Sequence, residues 1–207
     1  MAFTDYKNME EFAKKHGVTI LNQSCLPAHL KAELPQWFLE DLEFALHVKS
    51  SEENEAFYEE FLIAPFLKEA WKKHQRLKVW SHTYLKYDEE LSGTPDYLVS
   101  VTPAENAYEM LCHPLVAVAQ AKREDFIGGW GQCLSAMAAC QQINAADKTL
   151  DYPQIPIYGI VSTGELWQFA KLEGAVMSKH PLPASIAEPE RVAGILDYLF
   201  AECEKYR

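Results

Sequence analysis

Between Gln36 and Val48 the stretch QWFLEDLEFALHV repeats its apolar residues at helical spacing, so that Phe38, Leu42 and Ala45 fall on one face with Leu46. A second helical run follows in SSEENEAFYEEFLIAPFLKEAWKKH. There Ser50 and Glu53 have the spacing of a capping box, and Phe57, Phe61 and Ala64 continue the apolar stripe. Pro65 should kink this helix or divide it, because proline has no N–H and crowds the preceding turn. A shorter helix is expected over Asp5–Lys15, closed by Gly17. The intervening VTILNQSCLPAHLKAELP keeps no single period and is punctuated by two prolines.

The period then changes. LKVWSHTYLKYDEEL alternates and reads as a strand, and TPDYLVSVTP reads as another, bounded by Gly93 and Pro103. PLVAVAQAK is almost wholly apolar, as a central strand covered on both faces should be. GGWGQCLSAMAACQQIN is an Ala-rich helix behind two glycines. IPIYGIVST and LWQFAKLEG are strands joined as a hairpin at Thr163–Gly164. EPERVAGILDYLFAECEKYR closes the chain as a helix with Val192, Ile195, Leu196 and Leu199 on its apolar side. This order predicts an α/β sandwich, a mixed sheet flanked by helices.

Composition narrows the function classes. A chain of 207 residues, 48% hydrophobic and 24% charged, fits one globular domain with room for an extension. Its formal charge of -11 excludes bulk electrostatic attraction to nucleic acid or an anionic membrane, so a phosphate-binding surface must be a local basic patch. Five cysteines without CxxC or CxxH spacing point to reduced, buried thiols rather than disulfides or structural zinc. The N-terminus is charged and no apolar run approaches the ~18 residues of a membrane span, so a cytoplasmic protein with no membrane association is expected. The histidines are scattered, and IGGWGQ lacks the spacing of a nucleotide loop.

The chemistry concentrates where the apolar strand ends. Along VAVAQAKRED, Gln120 and Lys122 should share a face with Val116 and Val118. The preceding strand begins with Asp96, directly after Pro95. If the two strands are neighbours, a carboxylate, an amide oxygen and an ammonium converge on one point. That set suits a hard divalent cation with oxygen ligands beside a phosphate, where a bound water can become the nucleophile. The bland alternatives are a turn-capping Asp96, a Lys122 reaching to solvent, and a Gln120 bonded only to its neighbours.

The pattern Pro95-Asp96 followed by Gln120-Ala121-Lys122 resembles the PD-(D/E)XK nuclease superfamily. Together with REDFIGGWGQCLSAMAACQQIN and IYGIVSTGELWQFAKLE, it is similar to a little-characterised bacterial, especially cyanobacterial, group, over about Glu55 to Leu199. The resemblance implies a restriction-endonuclease-like three-layer sandwich over residues 51–207, behind a mostly helical N-terminal extension of residues 1–50. It implies a Mg2+ site, with Mn2+ as substitute, held by Asp96, Gln120, the Ala121 carbonyl and a helical glutamate, Glu60 first and Glu55 second. Lys122 would act at the water, and Gln132 with Trp130 would face a nucleic-acid substrate, DNA before RNA. Glu124 and Asp125 could turn inward. Gln120 departs from the pattern, which has Glu or Asp there, and removes one formal charge. Two function classes therefore stand: a metal-dependent nuclease, or a nuclease-fold binding module with a degraded site. The first fifty residues are left for covering a sheet edge or for a homodimer contact.

Overall fold

A computed structural model describes residues 3–102, 111–150 and 154–206. A short 3-10 turn (Phe3–Asp5) precedes α1 (Met9–His16), β1 (Thr19–Asn22) and α2 (Gln36–Val48). The next helix comes in three parts: α3 (Glu55–Phe57), a π-wound segment (Tyr58–Ile63) and α4 (Ala64–Lys73). Then follow β2 (Leu77–Ser81), β3 (Leu85–Lys86), β4 (Ser92–Gly93), β5 (Tyr97–Val101), β6 (Leu115–Ala121), α5 (Phe126–Ala146), β7 (Ile157–Ser162), β8 (Leu166–Glu173), β9 (Val176–Lys179), β10 (Ala184–Ser185) and α6 (Pro189–Cys203).

The main sheet runs β1-β9-β8-β7-β6-β5-β2, with β10 added on β8. β6 pairs parallel with β7 and antiparallel with β5, so the sheet is mixed. Helices cover both faces. Phe38 and Leu42 of α2, Leu62 and Phe66 of the divided helix, and Leu196 and Phe200 of α6 fill one core. Phe12 of α1 with Trp130, Leu134 and Met137 of α5 fill the other. All seven residues of β6 are buried, consistent with an almost wholly apolar strand between two helical layers.

Several local expectations shift. Gly17 caps α1 in the left-handed region with φ 70, but the helix starts at Met9 under an Asn8 cap rather than at Asp5. The Ser50–Glu53 box closes a turn before the helix, where Ser50 N–H donates to Glu53 Oε1 at 3.4 Å; the helix cap is Asn54, which accepts from Phe57 N–H. Pro65 stands in the first turn of α4, and the winding before it widens, Ala64 N–H reaching back to the Glu59 carbonyl. The register of β5 against β6 jumps between Val99 and Ser100, leaving Val116 as an extra residue. Val116 therefore packs into the same core as Ala117, away from Val118. Pro103 lies outside the described residues.

The first fifty residues hold two helices, α1 and α2, with the strand β1 between them. They include β1, which pairs parallel with β9 and forms the sheet edge, and Phe3, Tyr6 and Phe12, which are buried in the α5-side core. Among the described residues no helix is long and apolar enough to cross a membrane.

Candidate metal centre

β5 and β6 pair Tyr97 with Ala119 and Leu98 with Val118. Asp96 immediately precedes β5, and this register continued one step would set it opposite Gln120 on the face that α5 covers. The Asp96 peptide ties two strand ends together. Its carbonyl accepts from His82 N–H at 2.9 Å and its Oδ2 accepts from Ala121 N–H at 2.7 Å.

Two glutamates reach this point from the divided helix. Glu55 Oε1 accepts from Lys122 Nζ at 3.0 Å. Glu59, in the π-wound segment, is turned inward and buried, with Oε2 3.3 Å from His82 Nε2. His82 adopts φ 49 at the end of β2, a left-handed conformation that non-glycine residues seldom take. Ligand atoms of Glu59, His82 and Asp96 lie within 4.8 Å of one another, a group that could hold a metal ion.

The electrostatics fit a cation. Burial, then the Asp96 charge, pushes the Glu59 carboxyl above its ordinary range, and His82 and Lys122 offset this only in part. Burial likewise pushes Asp96 up, against the Ala121 N–H and Lys122. Gln120 is 3% exposed, and its amide makes no hydrogen bond to any described residue. Its Oε1 is an oxygen donor of the kind a divalent cation takes.

Other expected site residues lie as follows. Lys122 is largely buried beside Glu55, and its stem passes Gly129, where a Cβ would come within 2.9 Å of Lys122 Cγ. Gln132 is half-buried on α5. At 3.6 residues per turn it takes the flank of the helix opposite Trp130. Trp130 is 2% exposed and donates its Nε1–H to Gln168 Oε1 at 2.6 Å, which leaves little ring for a substrate. Glu60 is exposed and lines a groove with Trp37, Phe61 and Pro65, so the helical carboxylate nearest Asp96 is Glu59 instead. Glu124 is exposed, and Asp125 caps α5 by accepting from Gly128 N–H at 2.9 Å.

Glu59 and His82 were absent from the sequence-based set. Glu59 was findable in part, since it stands four residues after Glu55 and shares its helical face. His82 carries no such signal, because its place depends on a strand end and a left-handed residue. A scan against protein-family models matches none, and a search of curated proteins gives no match.

Proposed function

We propose that this chain is a divalent-metal-dependent phosphodiester hydrolase of the PD-(D/E)XK kind, acting on DNA and secondarily on RNA. The observation that carries the reading is the meeting of Glu59 with Asp96 beside Gln120. A divalent ion needs anionic oxygen ligands. With an amide at position 120, Glu59 supplies the second carboxylate from the helix.

In this reading Asp96, Glu59 and Gln120 Oε1 hold the ion, with His82 as nitrogen ligand and the Ala121 carbonyl at the same strand end. A bound divalent ion lowers the pKa of water and neutralises charge on phosphate oxygens. Lys122 donates to the attacking water or to a phosphate oxygen, and Glu55 keeps its ammonium directed into the site until substrate competes for it. Gln132 donates to the phosphate from the first turns of α5. An imidazole in the ligand set favours Mn2+ over Mg2+, because Mg2+ selects oxygen donors.

The test is cleavage of plasmid and single-stranded DNA with Mg2+ or Mn2+ by wild type, Lys122→Ala, Glu59→Gln and Gln120→Glu. Wild-type cleavage should fall by about 100-fold or more in the first two variants, on the scale of losing a transition-state donor or ligand. If wild type is inactive and Gln120→Glu cleaves, the chain is a silenced scaffold, and the -11 charge with the amide at Gln120 then argues for a protein-binding module.

A further inference from the structure

A second cavity, of about 300 Å3, opens beside the β1–β9 edge. Its polar lining is Lys179, Gln168, Asn22 and His180; Ile20, Met9 and two prolines form the apolar walls. No carboxylate lines it, in a chain with 30 Asp and Glu residues. Lys179 ends β9 and pairs in register with Asn22 of β1. Its ammonium lies 5.3 Å from the centroid of the Trp130 ring and has no ion pair or hydrogen bond to any described residue. Burial alone holds its pKa below the ordinary lysine value.

The orientation of the Gln168 amide is decided by its neighbour. Indole N–H can only donate, so the Gln168 atom 2.6 Å from Trp130 Nε1 must be the oxygen. The Gln168 NH2 is then free, with no acceptor among the described residues. The Asn22 side chain is equally uncommitted. His180 adds no charge. Ser24 Oγ donates to the Leu26 carbonyl at 2.9 Å, so it accepts the hydrogen of His180 Nδ1 at 3.3 Å, and burial together with Arg191 depresses the imidazole pKa. The cavity thus presents one cation and two free amide donor groups, with no anion to meet them.

We propose that this cavity binds a small oxyanion, a phosphate or carboxylate on a compact apolar body, with Lys179 neutralising its charge and the Gln168 and Asn22 amides donating to its oxygens. The site is distinct from the metal centre. Gln120, Val161 and Gln168 are opposed across β6, β7 and β8, so two strand spacings, about 10 Å, separate the two amides, and the first turns of α5 stand between. Lys179 is half-buried with no ion pair to any described residue, and an anion seated on it would offset the desolvation that partial burial imposes.

The test is isothermal titration of the full chain in EDTA with inorganic phosphate and, separately, with benzoate. Each run is followed through the Trp130 indole N–H resonance, which reports the Gln168 bond. Saturable binding of one equivalent of either anion, with a shift of that resonance, is expected. Lys179→Met should weaken it at least about tenfold, Lys179→Arg should restore it, and Gln168→Glu should weaken it by reversing donor to acceptor. Phosphate alone or benzoate alone identifies the head group. Asp96→Asn should leave binding unchanged, which separates this site from the metal reading. Absence of saturable binding by both anions, or binding indifferent to Lys179→Met with an unaltered Trp130 signal, overturns the proposal.

Discussion

At the residue scale the decisive position is Gln120. A glutamate there would place a third carboxylate beside Glu59 and Asp96, both already pushed up by burial and, for Glu59, by the Asp96 charge. At an effective dielectric of ~20, two like charges ~4 Å apart repel by about 4 kcal/mol, a ceiling that proton uptake lowers. Gln120→Glu should therefore lose about 1–3 kcal/mol of stability in EDTA and gain more from Mn2+ than wild type does. Thermal melts with and without Mn2+ check this, and equal melting temperatures in EDTA would remove the cluster from consideration as a cation site. The shared face of Gln120 and Lys122 was legible because strand alternation is a short-range rule, whereas the pairing of β5 with β6 that brings Asp96 to the same strand end had to be assumed. The sequence did not make Glu59 legible over Glu60, because Pro65 widens the helix before it and changes the phase at which side chains point inward. His82 depends on where β2 ends, which no periodicity encodes.

At the scale of elements, α5 organises the molecule. Gly131 faces the N-terminal segment so closely that a Cβ would meet the Tyr6 carbonyl oxygen at 2.5 Å and Asn8 N at 2.9 Å. Those are backbone atoms and cannot turn aside. Gly131→Ala should cost about 1–3 kcal/mol through overpacking, read as a lower denaturant midpoint; an unchanged midpoint would mean that the segment is only loosely docked. The same segment is held from its other side by Glu90, which accepts from Lys15 and from Tyr6 Oη at 2.6 Å and lies 3.2 Å from His16 Nε2. Lys15, then Tyr6, draws the Glu90 pKa down from 4.5 to about 2. A depressed carboxylate stabilises fully above its unfolded value and loses that contribution as pH falls toward its folded value. The difference in melting temperature between wild type and Glu90→Gln should thus be largest above pH 4.5 and shrink toward pH 2. A gap that stays constant over this range would contradict the assignment. The helices α2 and α6 were legible because each carries a helical period over many residues, α5 because it is Ala-rich behind two glycines, and the β7–β8 hairpin because two apolar runs flank Thr163–Gly164. β1 and β9 were not: each has four residues, too few to show alternation, and β1 exists through its pairing with β9.

At the scale of the whole molecule, the question is whether residues 51–207 form a unit without what precedes them. Two cores argue against it. Phe38 and Leu42 belong to one, and Phe3, Tyr6 and Phe12 to the other. Burying a large apolar side chain contributes about 1.5–3 kcal/mol. Five of them approach the entire net stability of a typical domain, about 5–15 kcal/mol. Removal would also strip β1 from β9 and leave an unpaired sheet edge, a template for association. A fragment of residues 51–207 should therefore lack a cooperative thermal transition and show collapsed amide dispersion in a 1H–15N spectrum, with aggregation through the exposed edge. A sigmoidal melt and dispersed amides from that fragment would instead restore the N-terminal fifty residues as a dispensable extension. The candidate site would then survive in it, since Glu55, Glu59, His82, Asp96, Gln120 and Lys122 all lie beyond the cut.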